Sequence, residues 1–402
     1  MAKSMEDVFK EALVDGMLGQ TLTKCSRWAT KRRIMGEPFP GPYGYKYHPW
    51  CRGIHDSKAS FNSIMKAAQM GVTEVAINRA FYAVDILRKS VLYVLPTAVN
   101  ASDFSKTRFN SALIESPYLK SIFTATNREG LKQAGGVSLY IRGSRGDSNL
   151  KSIPVSTLIL DELDEMDQDQ IWLALERLSG HIDKSVWSLS TPTMPKFGIH
   201  KQFLMGTQEH FRFKCPHCDT RTELIFPECL EIMGEAVTDP RCKESFLKCK
   251  ECNHMLEHEA KPHWLKDAYW EATENAVDED HRSFYVNQLY SFTVSPKEMA
   301  QAYFRGLADE GAMVEFQKSK LGLPYIPAGG MVTDTEIEES LRNHTKADPR
   351  PSVGRERMVV MGVDQGKWNH IVVMEYFFDT PSRDLNVAAF GKLLWEGKMP
   401  GD

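Results

Sequence analysis

The sequence has no apolar run long enough to cross a bilayer or to form the core of a secretory leader, so it reads as a cytoplasmic chain with no membrane partner. It also has little net charge. Its 49 Lys and Arg stand against 53 Asp and Glu, a balance of -4, which excludes a basic footprint over the whole surface and requires any grip on nucleic acid to be local. Internal repeats and low-complexity tracts are lacking too. What remains is a globular composition, 42% hydrophobic and 25% charged, in 402 residues, too many for one ordinary core and enough for two or three domains. Cysteine is sparse, at eight residues, but four of them fall in two Cys-x-x-Cys pairs. In a cytoplasmic chain that pattern suits metal ligands or buried thiols better than disulfides.

Residues 1–50 form an arm, with a helix expected from Met5 to Leu18 and a loop marked by Gly36, Pro38, Pro40, Gly41 and Pro42. Its basic stretch, Lys24, Arg27, Lys31, Arg32 and Arg33, is either a local DNA grip or a solvated helix face. A core follows over 51–210. There, short apolar runs alternate with helical stretches: Phe61–Met65, Val91–Leu95, Val137–Ile141, Val155–Leu160 and Val186–Leu189. Such alternation predicts βαβ units, a mostly parallel sheet and functional loops at the C-terminal ends of the strands. Cysteines, prolines and charges break the rhythm over 211–275, which is set apart as an insert. Residues 276–350 read as a helical remainder and linker, helical from about 281, with an amphipathic period over Met299–Leu307. A new hairpin is expected beyond Pro351, from Met358–Met361 and Ile371–Phe378.

Lys66-Ala67-Ala68-Gln69-Met70-Gly71-Val72-Thr73 has the length of a phosphate loop, follows a strand and opens a helix expected from Thr73 through Leu87. Val72 occupies the usual lysine position. Lys66 stands at the front of the loop instead, from where it can approach the phosphates from the other side. Lys66, Gln69, Gly71 and Thr73 are thus candidates for binding ATP. Leu158-Ile159-Leu160 leads into Asp161 and Glu162, adjacent carboxylates able to divide the positioning of Mg²⁺ from the activation of water. The competing reading is a strand followed by a solvated acidic turn, since Asp164, Glu165, Asp167 and Asp169 come next. Ser190 and Thr191 end the following strand, as a γ-phosphate sensor or as a plain strand terminus.

Cys215-Pro216-His217-Cys218 and Cys249-Lys250-Glu251-Cys252 are the most specific feature. Two such knuckles complete a tetrahedral Zn²⁺ site with no open position, hence a structural one. A redox pair is the alternative, but no thioredoxin-like context supports it. Cys229 and Cys242 read as spectators.

Together these motifs resemble the lambda-type large terminase subunits of tailed phages, over a stretch from about Trp28 to the end. Lys66–Thr73 is similar to that family's deviant Walker A. Tyr93–Thr97 looks like its next strand, Gly143–Ser152 like the loop before Walker B, and Asp161 and Glu162 like its Mg²⁺ ligand and catalytic glutamate. Ser190 and Thr191 match its coupling motif, and Leu321–Tyr325 and the paired-cysteine insert also have counterparts. The resemblance implies a RecA-like (ASCE) P-loop NTPase of α/β class with a zinc-ribbon insert. It further implies an ATPase that drives double-stranded DNA into a procapsid in the infected host's cytoplasm. The implied partners are a portal protein, a small terminase subunit and further copies of the chain in a ring. Residues 351–402 would begin a ribonuclease H-like nuclease, with Asp364 in Met361-Gly362-Val363-Asp364 as its first metal ligand. That nuclease is expected to be incomplete here, since the sequence ends at Asp402 before the remaining carboxylates. A helicase-like or remodelling ATPase and a non-enzymatic zinc-ribbon DNA-binding protein are the alternatives. Tyr43, Tyr45, Tyr47 and Trp50 are candidates for stacking on adenine, and Arg142, Arg145 and Lys151 for an arginine finger.

Overall fold

The computed structural model describes residues 22–145, 150, 153–325, 356–364, 368–378 and 390–400. The helix expected at Met5–Leu18 lies outside them. The chain divides into two compact units, Met1–Pro327 and Ala328–Asp402.

In the first unit, helix α1 (Cys25–Arg32) buries Cys25, Trp28 and Ala29 in the main core, so the arm is part of that core from there on. The core then runs through β1 (Phe61–Lys66), α2 (Val72–Asp85), β2 (Val91–Leu95), β3 (Val137–Gly143), β4 (Thr157–Asp161), β5 (Ser185–Ser190) and α3 (Gly198–Met205). It continues with β6 (Glu209–Lys214), β7 (Tyr269–Ala272) and β8 (His281–Val286), and ends in α4 (Pro296–Ala308) and a wide helical turn over Phe316–Leu321. Seven strands lie parallel in the order β6-β8-β1-β5-β4-β2-β3. Antiparallel strands extend both edges: Leu131–Ala134 and Thr126–Arg128 beyond β3, and Arg221–Thr222 and β7 against β6. Strands covered on both faces favour continuous apolar runs, and every residue of β2 and of β4 is buried, including the runs Val91–Leu95 and Leu158–Leu160.

The helical reading from 281 onward is corrected at its start, where β8 lies in the sheet between β6 and β1. His281, Arg282 and Ser283 disguise it as a polar stretch. Their polar groups are met by distant partners: Ser63 Oγ lies 2.8 Å from His281 Nε2, Arg282 pairs with Glu209 at 2.6 Å, and Ser283 Oγ donates to the Phe203 carbonyl. Helix α4 does form, with a capping box between Ser295 and Glu298. The insert is also narrower than its sequence limits, because β6 and β7 at its two ends belong to the main sheet. Between them lies a small antiparallel sheet of Leu230–Glu231, Phe246–Lys248 and Met255–Leu256.

The second unit is an antiparallel meander of β9 (Glu356–Asp364), β10 (Trp368–Phe378) and β11 (Phe390–Pro400). The hairpin expected there forms, and a third strand joins it.

Candidate nucleotide site and cysteine cluster

Parallel neighbours end on one side of a sheet, and β1, β5 and β4 lie side by side, so their last residues form a row. Lys66 closes β1, Ser190 closes β5 and Asp161 closes β4, with Met65 opposite Ser190 and Leu189 opposite Asp161. The sheet thereby brings together the residues singled out in three separate stretches of sequence.

Lys66 Nζ lies 3.0 Å from Glu162 Oε1, with the lysine side chain only 6% exposed. Glu162 is left-handed, with φ 61° and ψ 53°, a conformation that costs a non-glycine residue on the order of 1–3 kcal/mol. Its N–H donates to the Leu189 carbonyl at 2.9 Å, which fixes the strained turn against β5. Asp161 is buried. The Tyr93 hydroxyl donates to its Oδ2 at 2.6 Å, while Oδ1 is buried with no hydrogen-bond partner among the described residues. Burial, and then the charge of Glu162, push the Asp161 carboxyl up to about 6 against the pull of Lys66 and the Tyr93 hydrogen bond. An oriented carboxylate with one unsatisfied oxygen suits a divalent cation.

The loop from Ala67 to Gly71 turns through left-handed residues at Gln69 (φ 60°) and Gly71 (φ 72°), and α2 starts at Val72, one residue earlier than its sequence suggests. Gly71 caps α2 with no side-chain partner and its carbonyl accepts from Glu74 N and Val75 N, which among the described residues leaves the N–H groups of Val72 and Thr73 for an anion. Ala67 N donates to the Val286 carbonyl and Ala68 N to the Ser319 carbonyl, each at 2.9 Å. Gln288 Nε2 donates to the Ala68 carbonyl and Trp50 Nε1 to the Met70 carbonyl, both at 2.7 Å. Gly322 (φ 65°) comes so close that a Cβ there would stand 2.5 Å from Ala67 N. Sequence reasoning missed Gln288 and Ser319, which carry no motif. It noted Gly322 only within Leu321–Tyr325, for family likeness.

A cavity of about 1090 Å³ opens beside the loop, lined in part by Gln69, Gly71, Phe39, Tyr47, Arg108 and Lys320. Among the adenine candidates, Trp50 is fully buried and braces the loop, and Tyr45 hydrogen-bonds His55. Tyr43 and Tyr47 reach the cavity wall, and the Tyr47 ring stacks on Phe39 at 4.9 Å. Of the finger candidates, Arg142 donates to the Gly130 and Ile141 carbonyls, Arg145 is exposed, and Lys151 lies outside the described residues.

The acidic run after Glu162 is not simply a solvated turn. Asp164 is buried and accepts from Ile199 N at 2.7 Å, Thr193 N at 2.8 Å and Thr193 Oγ1 at 2.9 Å. Ser190 Oγ accepts from Asp164 N and donates to the Thr191 carbonyl, so this hydroxyl is engaged in tying the strand ends to the start of α3; Thr191 is half-buried beside it. Of the basic stretch, Arg33 is buried and ion-paired with Glu74 at 2.6 Å, whereas Lys24, Arg27 and Lys31 are exposed.

In the insert, the sulfurs of Cys215, Cys218, Cys249 and Cys252 all lie within 4.8 Å of one another. The two knuckles fold alike. Asp219 and Asn253, each just past its second cysteine, are left-handed and donate N–H bonds back to the carbonyls of Cys215 and Cys249. His217 N and Glu251 N point at the Cys215 and Cys249 sulfurs at 3.5 and 3.4 Å. Converging sulfurs and N–H donors aimed at them suit a thiolate-bound metal.

Residues 38–270 match the family model of the phage terminase large subunit gpA, ATPase domain. The chain belongs to this family. The large terminase subunit of Escherichia phage lambda is 20% identical over 336 residues, an alignment covering 75% of this chain and 51% of that protein. The terminase chain thus spans about half the length of that curated relative. The crystal structure of the HK97 bacteriophage large terminase shares the fold at 10% identity and a TM-score of 0.50, over 90% of this chain and 65% of that one. The Thermus phage P74-26 large terminase ATPase domain aligns at 16% identity and a TM-score of 0.42, over 71% and 95%. The matched family stretch of this terminase chain holds Lys66, Asp161, Glu162, Ser190 and all four clustered cysteines. It ends before β8, Gln288, Lys320 and the second unit.

Proposed function

We propose that the chain is the ATP-hydrolysing motor of a terminase, built on a RecA-like P-loop fold, which drives double-stranded DNA through a portal into a procapsid. The observation that carries this reading is the row of Lys66, Ser190 and Asp161–Glu162 on adjacent strand ends beside a helix N-terminus. Gln69, Gly71 and Thr73 would cradle the phosphates, with Lys66 as their cation in place of Val72. Asp161 would hold Mg²⁺, which when bound neutralises developing phosphate charge. Glu162, kept in place by Lys66 and by its strained backbone, would orient the attacking water as the phosphates draw Lys66 away. Thr191 and the Ser190–Asp164 tie would carry the change at the γ-phosphate into α3. Cys215, Cys218, Cys249 and Cys252 would bind one structural Zn²⁺ that ties the two knuckles of the insert together.

A motor that must move along any sequence grips the phosphate backbone, so DNA binding should be sequence-independent and salt-sensitive. Portal protein, a small terminase subunit and further copies of the chain in a ring are the proposed partners, in the host cytoplasm. The test is ATPase activity of the purified chain with and without DNA and portal. Stimulation by both supports the packaging motor, stimulation by DNA alone favours a helicase-like or remodelling ATPase, and no turnover leaves a zinc-ribbon DNA-binding protein.

A nuclease role is proposed for the second unit, motivated by Asp364 at the end of β9, the first strand of an antiparallel sheet. A two-metal site needs several carboxylates, of which Asp364 would be the first. Incubating the chain with plasmid and Mg²⁺ or Mn²⁺ tests this: cleavage lost on Asp364→Ala supports the role, and no cleavage counts against it.

A further inference from the structure

Most cations around the nucleotide cavity and its loop are already engaged. Lys66 pairs with Glu162, Arg33 and Arg108 share Glu74 at 2.6 and 2.7 Å, and Lys46 is exposed over the Tyr47 ring. Lys320 differs. It is half-buried, lines the same cavity as Gln69 and Gly71, and makes no ion pair or hydrogen bond through its amine among the described residues.

Its backbone is fixed to the phosphate loop from both sides. Ser319 accepts from Ala68 N, the Leu321 carbonyl accepts from the Tyr285 hydroxyl at 2.7 Å, and Gly322 packs on Ala67 with no room for a side chain. A cation held this way costs little to order when a ligand arrives, and burial without a counter-ion leaves its charge for an incoming anion. Burial, the largest influence, lowers its pKa from the usual lysine value; Glu298 and Glu315 oppose this without an ion pair, and Arg305 adds to it.

We propose that Lys320 is a nucleotide-binding residue that contacts the polyphosphate, supplying from the C-terminal end of the first unit a second cation beside Lys66. The inference rests on the ATPase reading above. It adds that nucleotide occupancy is felt directly by the segment that leads out of the motor unit.

The test measures affinity of the full chain for ATP, ADP and adenosine, for the wild type and for Lys320→Gln and Lys320→Arg. Lys320→Gln should weaken ATP and ADP by about tenfold, the scale of one charge-assisted hydrogen bond, and leave adenosine within twofold. Lys320→Arg should restore most of the loss, and melting without nucleotide should not change. Equal ATP affinity in wild type and Lys320→Gln overturns the proposal, as does a loss shared by adenosine or not rescued by arginine. A wild type that binds no ATP overturns the ATPase reading itself.

Discussion

The nucleotide site and the cysteine cluster are built in opposite ways. The cluster is assembled from two local turns, each of which sets two sulfurs within four residues of sequence, and the fold has only to bring two knuckles together. The nucleotide site has no local unit that is sufficient. Lys66, Asp161 and Ser190 come from three strands whose adjacency is a property of the sheet, and the loop between them is braced by Trp50, Gln288, Ser319 and Gly322. A cluster of equivalent ligands should fail as a whole, whereas a site with divided roles should fail one function at a time.

Disrupting the cysteine cluster tests that contrast with the largest expected effect. Elemental analysis should find one zinc per chain; thiolate zinc contributes on the order of 10–16 kcal/mol to local folding, so Cys249→Ser should lose it and lower the melting temperature sharply. Full zinc content or unchanged melting would falsify the cluster reading.

At the nucleotide site, Glu162→Gln should cut ATP turnover by roughly 10²–10⁴-fold, the usual worth of a general base, while ATP still binds. Lys66→Ala should lose turnover and weaken ATP binding together. Equal binding phenotypes for the two variants would break the claim of divided roles, and near-normal hydrolysis by Lys66→Ala would refute the relocated lysine.

Asp164→Ala leaves three donors without their acceptor, the buried Ile199 N and two on half-buried Thr193, each costing up to about 1–3 kcal/mol. Chemical denaturation should show a loss of several kcal/mol. A loss under about 1 kcal/mol would return Asp164 to the role of a solvated turn acid.

The smallest effect is expected from Gly322→Ala. A left-handed residue other than glycine costs about 1–3 kcal/mol, and here the added Cβ also meets the backbone at Ala67. Melting should fall by a few degrees, and ATP affinity should fall with it because the brace is part of the loop. An affinity that holds while melting falls would show that the loop keeps its shape without Gly322.

Sequence alone determined the features whose physics is local. Val91–Leu95 and Leu158–Leu160 are apolar runs that only a doubly covered strand can bury, Gly71 permits the left-handed turn into α2, and two Cys-x-x-Cys turns offer four soft ligands. Family likeness was legible for the same reason, since it was carried by short motifs in a fixed order. Tertiary structure alone decided the rest. His281–Val286 looks too polar for a central strand until Ser63, Glu209 and Phe203 supply its partners from across the sheet. Trp50 reads as an adenine platform until it is seen buried against Met70, and Asp164 as a solvated acid until Thr193 and Ile199 close on it. A polar residue costs free energy when buried alone and almost none when paired. Its pairing partner can lie anywhere in the chain, so only the packed fold shows which polar residues can be buried.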